Sequence, residues 1–317
     1  MPIKTGYQDI CDKLSLIIEK VFLDDDQTGG RFLAQGLIGS EKVFLKITAK
    51  SDTWTLYKFR REIASFDAMK KLFPSGNELF SKIPAVIGSG ESGDFFWVLR
   101  SYCPGETLAQ YSQTPGRPLV YEYSLIKDKF LGDYVQILGD TISFLDSIRE
   151  HDPEAKGVDF SNEFLRPQFP RDLSTYDIKM IESEIGFSLQ PQLDFYNSYS
   201  ETYFSRERLS VITGDLVPTN IIIKEDSSLV LTDFEWFTFD NFMMDIAQLW
   251  LYLYRYPVWQ KELVGLGIKT KDDEECFRAS LIRLVVGNGW HKVLSAEKHQ
   301  WIEYLRRAGQ SYSSLVG

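Results

Sequence analysis

The apolar positions of the first hundred residues change period several times. Ile10, Leu14, Ile17, Ile18, Val21 and Phe22 recur at helical spacing and predict an amphipathic helix. Asp24–Asp26, then Thr28-Gly29-Gly30, break it. Arg31–Leu37 and Lys42–Thr48 read as two strands joined by a turn at Gly39-Ser40. Trp54–Leu72 predicts a helix ended by Pro74 and Gly76. Ala85–Ser89 and Phe95–Arg100 predict two more strands, separated by the turn Glu91-Ser92-Gly93-Asp94. Pro104-Gly105 closes this small strand-rich unit with its one embedded helix.

Beyond it the pattern is mostly helical. Tyr134–Arg149 carries Val135, Leu138, Ile142, Leu145 and Ile148 on one face. The proline-containing stretch 151–175 reads as loop, followed by helices near Thr175–Ile185 and Leu193–Arg206. Leu209–Ile212, Ile221–Lys224 and Leu229–Thr232 are short strand-like runs, and 243–317 returns to helix. No internal repeat stands out.

Composition narrows the classes. A chain of 317 residues fits about two domains or lobes. The net charge of −10 argues against nucleic acid as the partner, because binding phosphate backbones calls for a basic surface. The excess is local: residues 1–100 hold 14 Lys/Arg and 13 Asp/Glu, and the remainder carries a net −11. Cys11, Cys103 and Cys276 are far apart and form no CxxC pair, so neither a disulfide framework nor a zinc site is expected. The apolar run near Ile246–Tyr254 is far shorter than the roughly 20 residues of a membrane span. With no signal-peptide pattern, the expected location is the cytoplasm, with no membrane partner.

Chemistry concentrates in 211–245, VITGDLVPTNIIIKEDSSLVLTDFEWFTFDNFMMD. Asp215 and Asn220 share a loop entered from an apolar strand, and Asp233 follows a hairpin-like pair of runs. A carboxylate beside an acceptor hydroxyl can orient it and take its proton. An amide oxygen with a second carboxylate can hold Mg²⁺ against ATP phosphates. Singly, each residue would read as an ordinary turn or surface group.

Gly214-Asp215-xxxx-Asn220 followed by Asp233-Phe234-Glu235 resembles the catalytic and metal-binding loops of kinase-fold small-molecule phosphotransferases, the aminoglycoside phosphotransferases and choline/ethanolamine kinases. Asp245-Ile246-Ala247 resembles that group's Asp-Leu-Ala segment. The resemblance implies an α+β, bilobal protein-kinase-like fold. It has a small antiparallel-sheet lobe with one main helix, 1–102, and a larger, mostly helical lobe, 103–317. It implies Asp215 as the catalytic aspartate, Asn220 and Asp233 as Mg²⁺ ligands, and Asp245 as a structural anchor. Lys46, in VFLKI, resembles the strand lysine that pairs with nucleotide phosphates, with Glu62 as its ion-pair partner. Ser101, Tyr102 and Cys103 resemble the interlobe hinge that holds an adenine edge. Two departures stand out. Thr213 replaces the family's usual histidine, and Gln27-Thr28-Gly29-Gly30-Arg31 lacks a full GxGxxG, leaving Thr28, Gly29 and Gly30 as the candidate phosphate turn.

The implied activity is Mg²⁺-dependent transfer of the γ-phosphate of ATP or GTP to a hydroxyl of a small molecule. Aminoglycosides or related amino sugars come first as acceptor. Choline or ethanolamine, another small metabolite such as a sugar or homoserine, and a nucleotide-binding pseudokinase serving as an interaction module stay open. The acidic second part would favour a cationic acceptor by long-range attraction, or simply keep the protein soluble. Glu235 and Trp236 are candidate acceptor contacts. Trp250, Tyr252, Tyr254, Tyr256 and Trp259 read as core or as a cation-binding aromatic wall.

Overall fold

The computed structural model describes residues 5–25, 31–73, 76–110, 125–289 and 295–317. Helix α1 (Thr5–Lys13) leads into strands β1 (Leu16–Asp25), β2 (Arg31–Ile38) and β3 (Glu41–Ala49). Helix α2 (Thr53–Leu72) follows, then β4 (Val86–Ser92) and β5 (Phe95–Ser101). The five strands form one antiparallel sheet in the order β1-β2-β3-β5-β4. Asp52 starts α2 by accepting a hydrogen bond from the Thr55 amide. One face of the sheet buries Phe32, Leu45 and Ile47 against Tyr7 and Ile10 of α1. The other packs Phe96 and Val98 on Phe59 of α2.

The opening helix ends earlier than its apolar spacing suggests. Ser15 adopts a left-handed conformation (φ 53°), and Leu16 begins a strand rather than a further turn. Ile17, Ile18, Val21 and Phe22 lie on β1, and Ile17, Val21 and Phe22 are exposed. Register shifts between Ile18 and Lys20 and between Val21 and Leu23 interrupt the two-residue alternation. Those irregularities turn a strand pattern into one that mimics a helix.

The rest of the chain builds the larger, mainly helical part. Short strands β6 (Glu106–Thr107), β7 (Ala109–Gln110) and β8 (Leu125–Ile126) precede α3 (Tyr134–Arg149). Helix α4 (Ile178–Ile185) is shorter than expected because Asp177 caps it, and α5 (Gln190–Tyr203) starts three residues early, with Pro191 in its first turn. Strands β9 (Leu209–Ile212), β10 (Ile221–Ile223) and β11 (Leu229–Leu231) lie where their apolar runs place them. The run expected to return to helix at 243 is preceded by an unforeseen strand, β12 (Thr238–Asn241), paired with β9. Helices α6 (Met243–Tyr252), α7 (Pro257–Gly267), α8 (Lys271–Leu284), α9 (Ser295–Ala308) and α10 (Tyr312–Val316) complete the chain. One continuous apolar core joins them and also takes in Phe66, Met69 and Leu72 from the end of α2. Among the described residues, no helix is long and apolar enough to cross a membrane.

Candidate active site

Strand β9 delivers the chain to Thr213, Gly214 and Asp215. Gly214 has φ +73°, and a Cβ there would lie 2.1 Å from the Trp236 carbonyl oxygen, so only glycine fits. The loop's shape is held by buried Asp245 in the first turn of α6. Its carboxylate accepts hydrogen bonds from the Thr213 amide (2.8 Å), the Thr213 hydroxyl (2.8 Å) and the Gly214 amide (2.9 Å). Thr213 therefore serves this loop through its own hydroxyl. The antiparallel pair β10–β11 then carries the chain from Asn220 back to Asp233, with the Thr232 amide bonded to the Asn220 carbonyl at 2.9 Å. Asp233 itself takes a left-handed conformation (φ 58°), uncommon outside glycine and a form of strain that gathers at functional sites.

Both oxygens of Asp215 are oriented. Asn220 Nδ2 donates to Oδ2 at 3.2 Å and to the Asp215 carbonyl at 3.0 Å, and Gln248 Nε2 donates to Oδ1 at 3.0 Å. Burial, then the neighbouring Glu235 carboxylate, push the Asp215 carboxyl up to about 7, against the opposing pull of Lys58. A carboxylate poised near neutrality is matched to taking a proton from a hydroxyl. Gln248 was not foreseen. It lies three residues after Asp245, one helical turn on and so on the same face of α6, which is the signal that could have found it.

Next to this group lies a square of charge, buried at Lys46, Glu62 and Arg100 and half-buried at Asp233. Lys46 Nζ bonds Glu62 Oε2 and Asp233 Oδ1, each at 2.8 Å. Arg100 Nη1 bonds Glu62 Oε1 at 2.9 Å and the same Asp233 Oδ1 at 3.1 Å. Lys46 is on β3, Glu62 on α2 and Arg100 on β5, so the sheet, the main helix and the larger part meet here. Burial disfavours the charge on Asp233, yet Lys46 and Arg100 outweigh it and hold the carboxyl well below the usual range. Burial and Arg100 likewise oppose the Lys46 charge, and Asp233 and Glu62 outweigh them, raising its pKa. Arg100 was missed because a single arginine ending an apolar strand reads as an edge residue.

A second set of contacts locks α2 to the segment after Asp233. Lys58 Nζ meets Glu235 Oε1 at 2.5 Å. Fully buried Arg61 donates to the carbonyls of Glu235 and Arg166, and its guanidinium lies 4.5 Å from the Trp236 ring centroid. Trp236 is buried and already faces an internal cation, and Glu235 already holds an internal lysine. Trp250 and Trp259 are core, and the Tyr256 hydroxyl bonds the Ile126 amide, so this aromatic stretch packs the interior.

At the expected hinge, the Ser101 amide bonds the Ala85 carbonyl (2.8 Å) and the Tyr102 amide the Lys42 carbonyl (3.2 Å), fixing that segment to the sheet. Among the described residues, the Cys103 backbone makes no such bond. Thr28, Gly29 and Gly30 lie outside the described residues.

The donor set fits a hard divalent cation that binds together with phosphate. With Lys46 and Arg100 both on Oδ1, Asp233 can turn Oδ2 outward, and its side chain is 37% exposed where its partners are 5–10% exposed. Asn220 points its amide nitrogen at Asp215, which leaves its oxygen for a cation. Among the described residues no cluster of three or more His, Cys, Asp or Glu could hold a metal alone. An ion here would need oxygens from a ligand, as Mg²⁺ does in nucleotide sites.

No family model matches the sequence, and no curated protein does. Solved structures do. A thermostable mutant of aminoglycoside phosphotransferase APH(4)-Ia, in ternary complex with ADP and hygromycin B, aligns with a TM-score of 0.65 over 97% of this chain and 100% of that one, at 12% identity. The chain has the protein-kinase-like fold. Amicoumacin kinase in complex with AMP-PNP and Ca²⁺ aligns at TM-score 0.56 over 98% of this chain and 95% of its own, at 14% identity. Spectinomycin phosphotransferase APH(9)-Ia, in complex with ADP and spectinomycin, gives 0.54 over 99% of this chain and all of its own, at 12% identity. The kinase-like fold accounts for the five-stranded sheet over the larger helical part.

Proposed function

We propose that the protein is a small-molecule O-phosphotransferase that moves the γ-phosphate of ATP or GTP to an acceptor hydroxyl with the help of Mg²⁺. The observation that carries this reading is the meeting of Lys46, Glu62 and Asp233 in one ion-paired cluster beside Asp215 and Asn220. Residues 187 positions apart in sequence are 2.8 Å apart in space. Lys46 binds the phosphates, with Glu62 holding it in place. Asn220 and Asp233 would hold the divalent ion, which would supply charge neutralisation to the phosphoryl group. Asp215 orients the acceptor hydroxyl and takes its proton. Asp245 anchors the loop, Ser101–Cys103 line the base, and Thr28, Gly29 and Gly30 are candidate phosphate contacts from their sequence alone. We place the boundary between the nucleotide lobe and the catalytic lobe at 102/103.

The first acceptor class is an aminoglycoside or related amino sugar, in a cytoplasmic setting. Its support is the fold shared with proteins solved with hygromycin B and spectinomycin. Choline, ethanolamine or another small metabolite is the alternative. Because Trp236 faces Arg61, an aromatic cage for a quaternary ammonium group would have to be built elsewhere. The test is transfer of labelled γ-phosphate from ATP and from GTP to a panel of hydroxylated amines, sugars and amino alcohols, with Mg²⁺ or EDTA. Metal-dependent labelling of an acceptor is expected. Tight nucleotide binding with no transfer to any acceptor would instead favour the interaction module.

A further inference from the structure

Arg100 is a buried arginine inside a largely apolar strand. It is the next-to-last residue of β5, is only 8% exposed, and bridges Glu62 and Asp233 through Nη1. Lys46 alone would face two carboxylates in this buried cluster. Arg100 supplies the missing positive charge, so two cations meet two carboxylates before any metal or nucleotide arrives. Among the described residues its buried Nε has no hydrogen-bond partner, and it borders a small cavity lined by Glu62, Phe66, Met69, Val86 and Asp233. Burying this charge merely to satisfy carboxylates would be a costly way to build a core.

We propose that Arg100 is a fixed cation of the nucleotide site that takes over part of the charge neutralisation otherwise supplied by divalent ions, so that the nucleotide binds with a single metal ion. The proposal rests on the nucleotide-site reading above. Protein kinases use two Mg²⁺ ions at their phosphates. Here Arg100 stays on Asp233 Oδ1 even when Lys46 turns to the phosphates, and among the described residues this leaves Oδ2 with the Asn220 oxygen as a seat for one ion. A cluster already neutral also repels an incoming polyphosphate less than one carrying an unbalanced carboxylate. Arg100 thus acts through Asp233 and Glu62 as a positioning residue.

The experiment measures binding, which needs no acceptor. AMP-PNP affinity is measured by calorimetry in EDTA and in saturating Mn²⁺, for wild type and for Arg100→Met, which keeps an unbranched apolar stem and removes the guanidinium. Loss of Arg100 should weaken metal-free binding by about tenfold or more, while Mn²⁺ restores most of the affinity. A purely structural role would weaken both conditions equally, and that result, or no change in either, overturns the proposal. Should the variant not fold, wild type decides. Electron paramagnetic titration of Mn²⁺ with saturating AMP-PNP should count a single bound ion, and two ions would overturn the proposal. If wild type binds no AMP-PNP in either buffer, the nucleotide-site reading itself fails and takes this one with it.

Discussion

Asp215 and Asp233 lie on either side of one hairpin, yet the protein treats them in opposite ways. Asp233 touches two cations and is held well below the usual carboxylate range. Among the described residues the Asp215 carboxylate meets amide donors, from Asn220 and Gln248, and burial with Glu235 nearby raises it to about 7. The environment divides the labour. A permanently ionised carboxylate suits a metal and phosphate, and one that titrates near neutrality suits proton transfer. Neither assignment follows from residue type, since both are aspartates in loops.

The largest expected effect breaks the proton-transfer side. Asp215→Ala should lower turnover by about 10²–10⁴-fold and leave nucleotide affinity nearly unchanged. Near wild-type turnover would remove Asp215 from the chemistry. Asp233→Asn should act on both measurements together, weakening metal-dependent nucleotide binding and cutting turnover by about 10²-fold, because the metal's charge stabilisation is worth several kcal/mol. An unchanged Mg²⁺ titration would move the metal ligand elsewhere.

A subtler change sharpens the contrast. Gln248→Leu removes a hydrogen bond that favours the charged form of Asp215, so its pKa should climb by about one unit and turnover at neutral pH should fall up to about tenfold. The rate should recover as the pH is raised, a recovery that simple misfolding would not give. In wild type the rate should rise with pH to a plateau above the Asp215 value of about 7. Stability should run the other way for this group. Its raised pKa stabilises the fold fully at low pH, below the ordinary carboxylate value, and that contribution is lost as pH rises through about 7. Asp215→Asn should therefore be more thermostable than wild type above that pH. The smallest effect is expected at the loop anchor. Thr213→Val deletes one of three hydrogen bonds to Asp245 and should cost about 1–2 kcal/mol in denaturant unfolding, with a modest loss of turnover.

Much of this arrangement is legible before any coordinates. Strands β2, β3 and β5 and helices α2 and α3 lie close to where period and punctuation put them, because each buries a regular stripe. β1 was misread as a continuation of α1, because its bulges and its exposed Ile17, Val21 and Phe22 hide the two-residue period. The order Lys46, Glu62, Asp215, Asn220, Asp233 stands out through its resemblance to a family pattern, and the structure brings these residues together. Arg100, Lys58, Arg61 and Gln248 do not stand out, because their meaning comes wholly from what they touch across the fold. Trp236 shows the converse, a residue whose chemistry invites a ligand but whose ring is taken up by Arg61.

The most direct test of the divided roles needs neither acceptor nor turnover. Carbon-13 carboxyl resonances of labelled aspartates, followed by NMR against pH, can be assigned by the signals missing from Asp215→Asn and Asp233→Asn. The account predicts that the Asp215 signal titrates near pH 7 while the Asp233 signal stays that of an ionised carboxylate down to the lowest pH at which the protein is folded. An Asp215 signal that titrates near the ordinary carboxylate value, or an Asp233 signal that protonates before it, would contradict the account.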